Sequence, residues 1–254
     1  MTVGIRSAAS DLHKIHRTAG KVEPCDDAKV ESWVRRTIDL RAIEALILGD
    51  ATDVTRDDDA REEGGFALGR AIGAPFARHR IPTTYVSGNH DPFRRIDKGR
   101  LLRAMIAGGF APDLITLASG PFIRRGIFAL THGHPFDPSC AGGNLLTTIG
   151  EAFTRVDQVL DQIHIDIEVL NPAAYVPAPG EDPILDRPMH RAAMRWAARY
   201  GVHLICGHSH VAHEVSGAWN GRAWSVWNTG ALTKNAAGTF VWFTDEGGGG
   251  VEAL

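Results

Sequence analysis

Five short polar clusters, most of them directly behind a short apolar run, restrict what this chain can fold into more than any other feature. Val30, Trp33, Val34 and Ile38 recur at helical spacing, and Ala45 to Leu48 then runs into Gly49-Asp50. A second helical stretch, Asp59 to Arg78, is interrupted by Gly64, Gly65, Gly69 and Gly73, and Thr83 to Val86 leads into Gly88-Asn89-His90-Asp91. Leu114 to Leu117, Pro121 to Ile123 and Gly126 to Leu130 read as a small antiparallel meander with its turn at Arg125-Gly126, ending in His132-Gly133-His134. A helix from Met189 to Tyr200 precedes Val202 to Cys206 and Gly207-His208-Ser209-His210. Asn220-Gly221 is a two-residue hairpin signal, and Thr239 to Phe243 reads as the last strand. Helix, strand and polar strand end in repetition predict an α/β fold whose strands deliver residues to one edge, where ligands of open α/β sheets bind.

With 254 residues and 44% hydrophobic content, the chain suits one domain over 1–246, followed by a Gly-rich tail at 247–254 expected to be flexible. The stretch at about 137–188 departs from the pattern: an amphipathic run from Leu145 to Ile163, then a Pro-rich segment, predicts an inserted helical cap and loop. A net charge of -3 offers no basic excess for a nucleic-acid backbone. Three cysteines without C-x-x-C spacing suggest neither a disulfide framework nor a cysteine zinc site, which fits a reducing cytoplasm. No apolar run is long enough for a signal-peptide core or a membrane span, so neither secretion nor spanning is expected.

Each cluster has an ordinary reading by itself. Asp11-Leu12-His13 could be a helix cap and a surface histidine, and Gly49-Asp50 a strand end. Gly88-Asn89-His90-Asp91 resists that reading, because a turn needs the Gly or Asn but has no use for His followed by Asp. His208 and His210 can clasp neighbouring ions from a tight loop, and His132 and His134 repeat the spacing. Taken together, the clusters supply what a dinuclear hydrolase requires: carboxylate oxygens, imidazole nitrogens and a neutral amide around cations about 3.5 to 4 Å apart.

Written in order, Asp-x-His, Gly-Asp-x-x-Asp, Gly-Asn-His-Asp, His-Gly-His and Gly-His-Ser-His, the chain resembles the calcineurin-like metallophosphoesterases from Asp11 to His210. The resemblance implies a four-layer α/β/β/α sandwich with a helical insertion between the fourth and fifth motifs. It also implies that Asp11, His13 and His210 hold one divalent ion and that Asn89, His132 and His208 hold a second, with Asp50 bridging them. Manganese is the expected metal, with iron, zinc or nickel as alternatives. A metal-bridging hydroxide would attack phosphorus in line, and His90 would stabilise charge or protonate the leaving oxygen, with Asp91 orienting its ring. His134 is a candidate substrate contact, and Asp53 a support for the Asp50 loop.

Two departures narrow the substrate. The second motif lacks the Asp-Arg-Gly continuation of the family's protein Ser/Thr phosphatases, and Asp91 stands where those carry Glu. Hydrolysis of a phosphomonoester, phosphodiester or pyrophosphate bond in a small or lipid-linked substrate is therefore expected, rather than of a phosphoprotein. The long segment after His134 resembles in size and place the insertion of the UDP-2,3-diacylglucosamine diphosphatase branch, which would allow peripheral lipid contact. Two other readings compete: a metal-binding scaffold for a protein partner without turnover, and a nuclease using Arg94, Arg95, Lys98, Arg100, Arg103, Arg124 and Arg125.

Overall fold

The computed structural model describes residues 4–13, 25–52, 60–91, 95–137, 187–234 and 236–254. The predicted cap, apart from its two ends, lies outside these residues, as do Asp53 and Arg94.

Two sheets stack face to face. The first contains β1 (Ile5–Ala9), β2 (Glu44–Leu48), β3 (Thr83–Val86), β4 (Ile115–Leu117), β10 (Thr239–Thr244) and β11 (Gly249–Ala253), in the order β11-β10-β1-β2-β3-β4. The second contains β5 (Phe122–Arg125), β6 (Phe128–Thr131), β7 (His203–Cys206), β8 (His213–Trp219) and β9 (Arg222–Asn228), in the order β5-β6-β7-β9-β8. Strands β1 to β4 run parallel, as do β6, β7 and β9. Their C-terminal ends therefore collect on one edge.

The alternation within β2 shows how the layers are held together. Ala45 and Ile47 face the helices α1 (Asp27–Asp39), α2 (Ala60–Leu68), α3 (Ala74–Arg78) and α4 (Arg95–Gly108). Leu46 and Leu48 face the second sheet, where they meet Phe128, Leu130, Ile205 and Trp227. Successive side chains of a strand point to opposite faces, so one apolar run serves both cores. The outer face of the second sheet is covered by α5 (Pro188–Tyr200), through Ala193, Met194 and Ala197 against Leu204, Trp224 and Val226. Helices, sheet, sheet and helix form the expected four layers.

The glycines that interrupt the second helical stretch have a packing reason. Between α2 and α3 the chain makes a π-helical turn over Gly69–Gly73, and there it lies directly against α4. A Cβ at Gly69 would stand 2.3 Å from the Met105 carbonyl oxygen and 2.6 Å from Gly108 Cα. Asn220 (φ 48°) and Gly221 (φ 74°) form the turn between β8 and β9, as the left-handed dipeptide predicted.

Two expectations need correction. The meander is a two-stranded hairpin, β5-β6, because β4 pairs with β3 in the other sheet. The tail expected from residue 247 onward carries β11, which pairs antiparallel with β10 from Thr239↔Ala253 to Phe243↔Gly249. Backbone hydrogen bonding and the cover of Trp227 over Gly249 outweigh the freedom that its glycines would otherwise confer.

At the edge opposite the strand C-termini, Glu44 ties the sheets together. It accepts from Arg6 Nε at 2.9 Å, Arg125 Nε at 2.7 Å, Arg125 Nη2 at 2.6 Å and Thr84 Oγ1 at 2.6 Å. Burial alone would raise the Glu44 pKa, but the bonds from Arg125, Thr84 and Arg6 hold it below its ordinary value.

Candidate metal centre

The loops after β1, β2, β3, β6 and β7 bring seven predicted ligands to one place. Asp11 Oδ1 lies 3.3 Å from His210 Nε2 and 4.0 Å from His13 Nε2. His132 Nε2 lies 3.1 Å from Asp50 Oδ2, 3.1 Å from Asn89 Oδ1 and 3.2 Å from His208 Nδ1. Asp11, His13 and His210 form one group of converging ligand atoms, and Asp50, His132 and His208 a second. The two groups adjoin, with Asp11 Oδ1 3.9 Å from His132 Nε2.

Backbone geometry marks the same residues. Of the eight non-glycine residues with left-handed φ among those described, five are Asp11, His13, Asp50, His208 and His210. Such conformations cost roughly 1 to 3 kcal/mol each and persist where the surroundings over-determine them. Here the loops brace one another: Asp11 N donates to Gly49 O, His13 N to Asp50 O, and Gly207 N to His132 O. The motif glycines leave room for the ligands. A Cβ on Gly49 would meet the His132 ring at 2.5 Å, one on Gly88 the Asp50 Oδ1 at 2.1 Å, and one on Gly207 the Ser10 Oγ at 1.9 Å.

The hydrogen bonds around the cluster set which atoms face inward. His132 Nδ1 stands 2.8 Å from the Leu48 carbonyl oxygen, which can only accept, so Nδ1 carries a proton and Nε2 faces the centre. His208 Nε2 stands 2.9 Å from Asp137 Oδ2, which leaves Nδ1 facing the centre. With neutral rings, two nitrogen lone pairs, the Asp50 carboxylate and the Asn89 amide oxygen would converge with no donor between them. Among the described residues, Asp11 Oδ1 and His13 Nε2 are also buried without hydrogen-bond partners. Acceptors gathered in this way need a cation, and mixed carboxylate and imidazole donors fit a divalent transition metal.

Electrostatics agree. Although burial opposes ionisation, the imidazoles of His132 and His210 hold Asp11 down to about 2. Burial likewise opposes ionisation of Asp50, but His132 and His90 keep its pKa far below the usual carboxylate range. Burial disfavours charge on His132 too, but Asp50 and Asp11 together raise its pKa, so a proton can take a cation's place there.

His90 stands at the rim. Its backbone N–H donates to Asp50 Oδ1 at 2.9 Å, its Nε2 lies 4.0 Å from Asp50 Oδ2, and its side chain is 25% exposed. Asp91 does not orient that ring. Its fully buried carboxylate accepts from the backbone N–H of Asp50 and of Gly88, both at 2.7 Å, and from the N–H and hydroxyl of Thr52. The turn at 88–91 sends the two neighbouring side chains different ways, and Asp91 fastens the Asp50 loop from beneath. Burial and the Asp50 charge raise its pKa to about 6.

His134 also departs from expectation. It is 4% exposed, its ring centroid lies 5.6 Å from that of His132, and burial and the His132 charge push its pKa down to about 3. Its position is behind the ligand cluster, with little surface to offer a substrate.

Sequence reasoning missed Ser10, Asn228, Thr229 and Asp137. The Ser10 hydroxyl lies 2.5 Å from Asp11 Oδ2 and 2.6 Å from Thr229 Oγ1, and His208 N also donates to Asp11 Oδ2. That oxygen is thereby occupied and Oδ1 is left for the centre. Asn228 donates to the Gly207 carbonyl at 2.8 Å and accepts from Gly230 N at 3.0 Å, which locks the last loop. None of these lies in a local pattern distinguishable from ordinary loop polarity.

Comparison with solved structures agrees on the architecture. The chain is similar to a protein from Thermus thermophilus, at 13% identity and a TM-score of 0.53, covering 99% of each chain. It is also similar to a dimetal phosphatase from Danio rerio, at 14% identity and a TM-score of 0.53, covering 95% of this chain and 92% of that one. No curated protein matches the sequence. No helix among the described residues is long and apolar enough to cross a membrane. The calcineurin-like phosphoesterase family model matches residues 8–212, from the end of β1 to the last histidine loop, and the chain belongs to that family of metal-dependent phosphoesterases.

Proposed function

We propose that the protein is a dinuclear hydrolase of phosphoester bonds in a small phosphorylated substrate, with manganese as the preferred metal and iron, zinc or nickel as alternatives. The observation that carries this reading is the convergence of Asp50 Oδ2, Asn89 Oδ1 and His208 Nδ1 on His132 Nε2, all within 3.2 Å, beside a second group formed by Asp11, His13 and His210. Asp11, His13 and His210 would hold one ion, Asn89, His132 and His208 the other, and Asp50 both. Two divalent ions, when bound, supply Lewis-acid polarisation of the phosphoryl oxygens and a water nucleophile at neutral pH.

The remaining work falls to the chain's own residues. His132 and His208 offer fixed tautomers, because Leu48 O and Asp137 hold their outer nitrogens. Asp91, Ser10 and Thr229 fix the two carboxylates without competing for their inward oxygens. His90 joins partial exposure to attachment at Asp50. From there it donates a proton to the leaving oxygen or a hydrogen bond to the phosphoryl oxygens as charge develops.

The test is hydrolysis of p-nitrophenyl phosphate and bis(p-nitrophenyl) phosphate by protein stripped of metal and reloaded with one metal at a time. Activity should return best with manganese, vanish in Asp50→Ala, and fall about 10²- to 10⁴-fold in His90→Ala. Folded, metal-loaded wild-type protein that cleaves neither ester would overturn the reading.

A further inference from the structure

Beside the candidate centre, the fold leaves a cavity of about 500 Å³ whose walls include His208 and Asp137 on the metal side and Arg187, Pro188, Met189 and Ser209 beyond them. His208 is shared by the two features, so a phosphoryl group at the centre has this space next to it. A volume of that order accommodates a drug-sized organic group, far more than a phosphate alone requires. Pro188 and Met189 give the cavity apolar wall, and Arg187 contributes a full positive charge.

The Arg187 guanidinium has no ion-pair or hydrogen-bond partner among the described residues. Arg6, Arg36 and Arg125, by contrast, all pair with carboxylates. Its backbone is held in the extended region (φ -60°, ψ 137°) because Pro188 follows and opens α5. The residue therefore stands on the cavity wall with its charge uncommitted among the described residues. Asp137, the cavity's carboxylate, is engaged by His208. A guanidinium placed so suits bidentate recognition of a phosphate or carboxylate.

Building on the phosphoesterase reading, we infer that this cavity is the leaving-group subsite and that Arg187 selects substrates whose leaving group carries a second anionic group, a phosphate or a carboxylate. The substrate class is then a phosphoester or phosphoanhydride of an organic anion. Arg187 acts by binding the part that departs. Its loss should raise KM and leave kcat nearly unchanged.

The test compares wild type, Arg187→Ala and Arg187→Lys as metal-loaded full chains on p-nitrophenyl phosphate, whose leaving group lacks a second anion, and on ADP and 3-phosphoglycerate, whose leaving groups carry one. Arg187→Ala should raise KM for ADP or 3-phosphoglycerate by about 10- to 100-fold, leave both constants for p-nitrophenyl phosphate within about twofold, and be partly rescued in Arg187→Lys. In a calorimetric arm, Arg187→Ala should weaken AMP binding by a similar factor but leave inorganic phosphate binding unchanged. Cleavage of p-nitrophenyl phosphate, with no selective effect of Arg187→Ala on the anionic substrates, overturns the inference and leaves the phosphoesterase reading standing. If no ester is cleaved, that reading fails and the binding arm decides: equal AMP affinity in wild type and Arg187→Ala overturns the subsite.

Discussion

His208 Nε2 donates to Asp137 Oδ2 across 2.9 Å, and this bond decides which nitrogen of His208 faces the candidate centre. A ligand imidazole with its outer N–H held by a carboxylate is fixed in tautomer and orientation and is made more basic. Asp137→Asn should therefore weaken binding of one of two metal equivalents by about 10- to 100-fold, with little change in the melting temperature of the metal-free protein. Calorimetric titration with manganese measures this, and unchanged affinity at both sites would remove Asp137 from the metal's support.

Gly88 lies against Asp50 so closely that a Cβ would fall 2.1 Å from Oδ1 and 2.5 Å from the backbone nitrogen. Neither atom belongs to a flexible chain end. Gly88→Ala should cost about 1 to 3 kcal/mol of stability, as overpacking does, and should displace the proposed bridging carboxylate. Urea denaturation combined with metal stoichiometry tests both parts. A variant with wild-type stability and full metal loading would contradict the contact.

Asp91 is the buried acceptor for two backbone N–H groups and for Thr52. In Asp91→Ala, the Asp50 and Gly88 amides lose their partner, at about 1 to 3 kcal/mol for each buried donor left unsatisfied. Asp91→Asn, which keeps one carbonyl acceptor, should lose less. Chemical denaturation ranks the two, and the reverse order would exclude the hydrogen-bonding explanation.

Glu44 carries a prediction in pH. Its folded pKa lies below its ordinary value of 4.5, so the native state releases this proton more readily than the unfolded chain. The associated stability is present above about pH 4.5 and is lost as pH falls through the depressed folded value. Glu44→Gln should lower stability by about 1 to 3 kcal/mol at neutral pH, with a smaller penalty in acid. Urea midpoints from pH 7 to pH 3 would reveal the difference, and a penalty independent of pH would show that Glu44 acts only through packing.

Metal removal should be felt throughout the fold, because the ligand loops close the C-terminal ends of both sheets. A ligand present at a hundredfold excess over its Kd adds about 2.7 kcal/mol, which for a chain of this size raises Tm by several degrees. Chelation should lower Tm by that amount, and added manganese should restore it. Scanning calorimetry with and without chelator is the measurement, and an unchanged Tm would argue against a native-state metal.

Much of the molecule was legible in the chain because the information was local. Alternation in β2, helical spacing in α1 and the Asn220-Gly221 turn act over a few residues, where the period of the backbone dictates which side chains share a face. The ligand clusters were visible for the same reason, since each is a contiguous motif at a strand end. Contacts between distant segments were not. Whether β4 joins β3 or β5 depends on which sheet edge is open, and β11 is ordered by β10 despite its own glycines. Asp91 and His134 carry the residue types expected of a reactive site, but the turn at 88–91 and the burial behind His132 direct them inward. Ser10, Asn228, Thr229 and Asp137 acquire their meaning only where separate loops converge. The chemistry available to this protein was determined by its sequence, because residue type sets it. Which atoms face the centre was decided by the tertiary structure, because hydrogen bonds between residues far apart in the chain set tautomer and orientation.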